Sequence, residues 1–261
     1  MFFYILLGII QGLTEFLPIS SSGHLVVFEH FFKISQNNIL LEVALHVGSL
    51  FAVVIYFRKD ILSLLISLFY FTKKSEKKNI LFIYYLVIAT ITTSFFALTL
   101  KDSFLATFEK PILVSFFLVI NGFILLFSDK VNKDGEFTFK IALIIGIVQA
   151  FAILPGISRS GMTITTAIFL GINRKNAAKF SFLLSIPAII GAFILELDNF
   201  LDIKRDLFLN SIIGALFAFI SGYLVIAFLL KLIQKRKLFY FSYYCFSFAL
   251  ISFVLISALK L

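Results

Sequence analysis

Cysteine, tryptophan and charge are scarce in this 261-residue chain: one cysteine, no tryptophan, and charged side chains at only 14%. The single Cys245 excludes an intrachain disulfide and any metal site built on paired thiols, and its apolar surroundings suit a buried, inert thiol. No polar stretch is long enough to fold as a separate soluble module, so one domain over residues 1–261 is expected. The segment Met1–Gly8 lacks both a basic leader and a small-residue cleavage site, and is expected to stay on the mature protein.

What remains is apolar. Hydrophobic residues make up 61%, mean hydropathy is +1.05, and the apolar runs approach the ~20 residues that cross a bilayer. The composition therefore implies an all-α integral membrane protein in contact with lipid. The 36 phenylalanines are spread through these runs and read as lipid-facing or packing residues. The net charge of +9 does not imply nucleic acid, because the basic residues fall in short loops between apolar runs.

Six segments, near residues 40–57, 80–100, 111–128, 180–197, 208–230 and 239–259, read as spanning helices. Two more, near 2–33 and 138–171, are apolar but broken by Pro18 with Ser20–Gly23 and by Pro155-Gly156 with Ser158–Gly161. Their arms are too short to cross, so each reads as a re-entrant helical hairpin, tolerated only where protein or water surrounds the break.

The two broken regions echo each other. Gly8, Gln11, Ser20, Ser22 and Gly23 recur as Gly146, Gln149, Ser158, Ser160 and Gly161, each 138 residues on, with Arg159 opposite Ser21. Repeat 1 (about 1–130) and repeat 2 (about 138–261) would each hold one hairpin and three spans. An odd number of crossings inverts the second repeat relative to the first and brings the two breaks face to face.

Lysine and arginine offer a separate test. The expected inner loops hold sixteen of them, in the groups Arg58–Lys78, Lys130–Lys140, Arg174–Lys179 and Lys231–Lys237. The expected outer segments hold six, Lys33, Lys101, Lys110, Lys204, Arg205 and Lys260, leaving Arg159 inside the membrane. That bias places both termini, the acidic loop with Asp198, Asp202 and Asp206, and the mouth of the first hairpin outside.

Chemistry gathers at the breaks. Glu15 lies four residues after Gln11, so both side chains share one helix face. A carboxylate there suits Mg²⁺ or Ca²⁺ completed by water and phosphate oxygens, or else a structural pair with Arg159. Ser20, Ser21, Ser22 and Gly23 precede a helix whose free N–H groups make an anion site, and Ser158, Ser160 and Gly161 repeat the arrangement; helix capping alone would use the same residues. Arg159 requires an anionic partner and fits phosphate bidentately. His24 suits a nucleophile or a general acid/base.

Two further features are less specific. Glu42 and His46, four apart, either pair structurally, the favoured reading, or approach the site. Gly214, Ala218 and Gly222 form a small-residue stripe that admits a close helix neighbour, within the chain or across a homodimer.

At Gln11-Gly-Leu-Thr-Glu15-Phe-Leu-Pro18-Ile-Ser-Ser21-Ser-Gly-His24 and Pro155-Gly-Ile-Ser158-Arg159-Ser-Gly-Met-Thr163 the chain resembles the undecaprenyl-diphosphate phosphatase family, integral membrane enzymes associated with bacitracin resistance. The resemblance covers essentially the whole chain. It implies hydrolysis of undecaprenyl diphosphate to the monophosphate that carries cell-wall precursors, in the bacterial plasma membrane. It further implies Glu15 as the essential carboxylate, Ser21 as catalytic hydroxyl, His24 as catalytic histidine and Arg159 as phosphate ligand, with Ser158, Ser160 and Thr163 around the phosphates. Gln11 departs from members with two acids and removes one negative metal ligand. The alternatives are a lipid-phosphate transporter or flippase, and a phosphatase for other lipid diphosphates. A Ser or His placed to attack has no evident use in transport.

Overall fold

Helix α1 (Phe2–Phe16) ends because Pro18 follows: the residue before a proline is pushed out of the helical region, and Leu17 is extended at φ −64, ψ 144. In the computed structural model, which describes residues 1–31, 39–108, 110–131, 133–195 and 205–258, α2 (Ser21–Phe31) begins four residues later. Between them Ser20 adopts φ 70, left-handed backbone that a non-glycine residue enters only when its surroundings enforce it.

The second broken region repeats this plan. Helix α8 (Phe139–Phe151) stops before Pro155-Gly156, and α9 (Arg159–Phe169) starts after Ser158. Gly156 has φ 104, and a Cβ there would meet the backbone of Val114 at 2.5 Å, so the break needs glycine. At ~1.5 Å per residue the four arms are ~16–22 Å long, well short of a ~30 Å hydrocarbon core.

Among the described residues five helices are long and apolar enough to cross a membrane, at Lys74–Thr99, Ile112–Lys130, Arg174–Leu195, Phe208–Gln234 and Tyr240–Ser257. They coincide, within a few residues at the ends, with α5 (Lys77–Thr99), α7 (Pro111–Phe127), α10 (Arg174–Leu195), α11 (Arg205–Gln234) and α12 (Tyr240–Ala258). The sixth expected span is α3 (Ile39–Tyr56), whose apolar stretch Leu41–Tyr56 is shorter than the other five. Two short helices, α4 (Arg58–Phe69) and α6 (Lys101–Phe108), occupy stretches expected to be loops. On α4 the apolar Leu62, Leu65, Ile66, Leu68 and Phe69 are exposed, so an outward apolar face replaces the core-facing periodicity that marks a buried helix.

Among the described residues all regular structure is helical apart from one isolated bridge, Gly135 with Ile172. The main core gathers Phe16, Phe57, Phe180, Phe182, Ile145 and Ile164, while Phe51, Phe95, Phe116 and Leu224 lie on the outside, as lipid allows. The stripe on α11 packs within the chain. Gly8 of α1 seats on the Gly214 backbone and Gly12 on Ala218, Ser221 and Gly222, while Gly48 of α3 touches Ala215. Close backbone approach of this kind replaces the missing hydrophobic drive between helices in lipid.

Of the expected outer charges, Lys33, Lys204 and Lys260 lie outside the described residues, as do Asp198 and Asp202 and the side chains of Arg205 and Asp206.

Candidate active site at two facing helix breaks

Each break is finished by a serine cap. Ser20 Oγ accepts from the Gly23 N–H at 3.2 Å and Ser158 Oγ from the Gly161 N–H at 3.1 Å, each three residues on. The caps also tie the breaks together: Ser20 Oγ accepts from the Gly156 N–H at 3.0 Å, and Ser158 and Ser160 donate to the Leu17 carbonyl at 3.4 and 3.2 Å. Asn121 on α7 bridges both, donating to the Pro18 carbonyl at 2.8 Å and accepting from the Ser158 N–H at 3.3 Å. The expected face-to-face arrangement of the breaks is present, through direct hydrogen bonds.

Glu15, 7% exposed at the end of α1, is the hub. One carboxylate oxygen accepts from Arg159 Nη2 at 2.5 Å. The other accepts from Ser21 Oγ at 2.7 Å and Gln11 Nε2 at 3.0 Å, with His46 Nε2 at 3.5 Å. Helix periodicity places Gln11 behind Glu15, α2 returns Ser21 to it, α9 supplies Arg159 and α3 supplies His46. One donor and one acceptor at this site have room for more: Arg159 Nη1 and Gln11 Oε1 are buried without a hydrogen-bond partner. Leaving such groups unmet costs roughly 1–3 kcal/mol each, so a ligand or water belongs there.

His24 sits apart from this hub. Its Nδ1 lies 2.7 Å from the Ser20 carbonyl, which only accepts, so Nδ1 carries a proton; Nε2 lies 2.7 Å from the Tyr244 hydroxyl. The ring stacks on Phe248 at 4.0 Å between centroids and on Tyr244 at 5.6 Å. Both ring nitrogens are thus engaged, and one of them holds the left-handed Ser20.

Among the remaining candidates, Ser21, Ser22 and Arg159 are half-buried and reachable, whereas Ser20, Ser158, Ser160 and Thr163 are buried in the packing. Thr163 donates to the Arg159 carbonyl at 2.8 Å and meets Ser181 at 2.6 Å. Gly23 and Gly161 lie where the breaks touch: a Cβ on Gly23 would meet Gly156 at 3.0 Å, and one on Gly161 would meet Pro18 at 3.1 Å.

His46 was expected to be structural, and the structure places it against Glu15 instead. Its Nδ1 contacts the backbone carbonyl of Glu42 at 2.7 Å, which frees Nε2 to face the site. Asn121 and Tyr244 carry no sequence signal, the first being a single amide in an apolar run and the second one of several Tyr and Ser residues in its helix. The one available hint, that polar groups in lipid are costly, does not say where they point.

No group of three or more His, Cys, Asp or Glu that could hold a metal occurs among the described residues. The available donors are one carboxylate and the free Gln11 amide oxygen, a sparse set that fits a hard cation completed largely by ligand oxygens and water.

A family model described as bacitracin resistance protein BacA matches residues 4–251. An undecaprenyl-diphosphatase of Treponema denticola is 44% identical over 250 residues, covering 92% of this chain and 91% of its own. One from Halothermothrix orenii is 42% identical over 247 residues, covering 92% of each. Undecaprenyl-diphosphatase 2 of Halalkalibacterium halodurans is 38% identical over 260 residues, covering 95% and 94%. A match that runs through both helix breaks and nearly all of the chain between and beyond them places this protein in the BacA bacitracin resistance family.

Proposed function

We propose that this chain hydrolyses undecaprenyl diphosphate to undecaprenyl phosphate and inorganic phosphate, with Ser21, Glu15 and Arg159 at the reacting phosphoryl group. The observation that carries this reading is a hydroxyl and a guanidinium on opposite oxygens of one buried carboxylate, from opposite breaks. Relatives named undecaprenyl-diphosphatase support the substrate.

Phosphoryl transfer asks chiefly for positioning and charge stabilisation. Arg159 Nη1, which lacks a protein partner, meets the terminal phosphate. Ser21 passes its proton to Glu15 as Oγ bonds to the terminal phosphorus, and the bond from that phosphorus to the bridging oxygen breaks, releasing undecaprenyl phosphate. Water then adds to phosphorus, Glu15 returns its proton to Ser21 Oγ, and inorganic phosphate leaves. His24 is a positioning residue, holding the Ser20 carbonyl and with it the start of α2.

Glu15 and Gln11 would hold a Mg²⁺ or Ca²⁺ ion, which would supply charge neutralisation between the two phosphates. Short arms and hydrogen-bonded breaks support a pair of re-entrant hairpins in an inverted repeat, with spans between them. The sixteen-to-six bias of Lys and Arg supports a plasma-membrane orientation in which the site opens outward.

The test is phosphate release from undecaprenyl diphosphate by the purified protein in detergent, with other lipid phosphates and diphosphates as competitors. Turnover with preference for the prenyl diphosphate is expected. Binding without release would leave only a carrier.

A further inference from the structure

We infer that the end of α9 remote from Arg159 carries a second binding site, for a phosphate-bearing anion. An open cavity of about 570 Å³ lies there, within the range of small-ligand pockets. Four cations line it, Lys133, Arg174, Lys175 and Arg236, against the single carboxylate Asp134, which accepts from Asn173 Nδ2 at 2.8 Å. Ile168 also lines it, and nine residues of helix put it ~14 Å along the axis from Arg159, clear of the first site.

Loop cations that merely set membrane orientation project into water. Arg174 does not. It is 9% exposed, donates to Asp129 at 2.8 Å and to the carbonyls of Ser128 and Val131 at 3.1 and 3.0 Å, and keeps a buried Nε–H with no partner. Arg236 stands near enough to repel its charge, and Arg236 itself is held at φ 54. Next to the lining residues Asp134 and Ile172, the Gly135 N–H donates to the Gly171 carbonyl at 2.8 Å, and Lys133 lies over Gly171.

Counting Asp129 behind Arg174, the four cations face two carboxylates, an excess of two positive charges. A phosphate monoester or inorganic phosphate carries roughly −1.5 to −2 near neutral pH and offers three acceptor oxygens to guanidinium and ammonium donors. An anion seated here relieves the repulsion between Arg174 and Arg236. The same chemistry is presented by the headgroup of phosphatidic acid and by free phosphate.

Full-length protein in detergent, carrying Arg159→Gln to weaken phosphate capture at the first site, is dialysed against radiolabelled inorganic phosphate. In parallel, native mass spectrometry counts bound phosphatidic acid against phosphatidylcholine. Lys133→Ser with Arg236→Ser removes two lining cations and leaves the bonds of Arg174 intact. In an otherwise unaltered chain this pair should retain phosphatase turnover, which certifies its fold. Expected is stoichiometric binding of phosphate or of phosphatidic acid, weakened at least tenfold by the pair. Loss of both by the pair assigns a general phosphate site, and loss of lipid alone assigns a headgroup site. Binding that the pair leaves unchanged, or no binding of either anion, overturns the proposal. If the pair fails to fold, exposed Lys175→Ser alone must still weaken binding several-fold, and an unchanged affinity overturns it equally.

Discussion

Ser21 Oγ donates to Glu15 Oε2 across 2.7 Å, although Pro18 and a left-handed Ser20 separate the helices that carry them. The break thus turns α2 so that its first hydroxyl returns to the last turn of α1. The far oxygen of the same carboxylate receives Arg159 from the other break, so three polar groups from three helices converge on one point.

Arg159→Lys keeps a positive charge but loses the fork that binds Glu15 through Nη2 and leaves Nη1 without a protein partner, open to the phosphate of the proposed reaction. Activity should fall by about 100-fold or more, in line with loss of a preorganised charge donor. Steady-state phosphate release and a thermal melt on the same preparation check this. A stable Lys variant with near-normal turnover would sink the assignment.

If Ser21 is the nucleophile, rapid quench of a turnover mixture with labelled undecaprenyl diphosphate should trap phosphoserine at Ser21. Peptide mapping decides the site. Phosphohistidine at His24 would reverse the roles, despite the hydrogen bonds on both its ring nitrogens.

Glu15→Gln retains shape but removes the charge that meets Ser21 and Arg159, and with it the base and metal ligand of the proposed reaction. Activity should vanish while a folded protein remains on size-exclusion chromatography. Wild-type turnover should also fall in excess chelator and recover with added Mg²⁺ or Ca²⁺. Undiminished activity in chelator would remove the metal from the scheme.

Gly12→Ala should destabilise the protein by about 1–3 kcal/mol, because its Cβ would drive into Ser221 and Ala218 on α11. Gly191→Ala on α10 meets nothing within 4 Å and should be neutral or stabilising by up to about 1 kcal/mol, since alanine favours helix. Melts of the two variants side by side test the packing. Equal effects would argue against the tight α1–α11 contact.

Single cysteines in the Lys73–Lys78 segment and in the Asp198–Asp206 segment, in a Cys245→Ser background, report orientation when intact cells meet a membrane-impermeant thiol reagent. Labelling at Asp198–Asp206 with protection at Lys73–Lys78 is expected. The reverse pattern would turn the site inward.

Much of this architecture was legible before any coordinates. Pro18 and Pro155 announce the breaks because each stands beside serine and glycine residues that favour a turn, whereas Pro187, in an apolar run, stays inside α10. The 138-residue echo falls on the two breaks, and among the described residues five of the six expected spans match long apolar helices. The α4 and α6 helices carry no such signal, since an apolar run too short to cross a bilayer, as in α4, or a short helix between charged residues, as in α6, does not stand out from a connecting segment.

The sequence by itself determined that Glu15, Ser21 and Arg159 exist in apolar surroundings that make them costly unless paired. Only the tertiary structure decided the pairing. It gave Glu15 its four neighbours, turned His46 inward and His24 aside, buried Ser158 and Ser160 as links to Leu17, and set the glycine stripe of α11 against α1. Local periodicity fixes which face of a helix a side chain occupies. Which helix meets that face depends on packing between segments more than a hundred residues apart, as Asn121 reaching Pro18 illustrates.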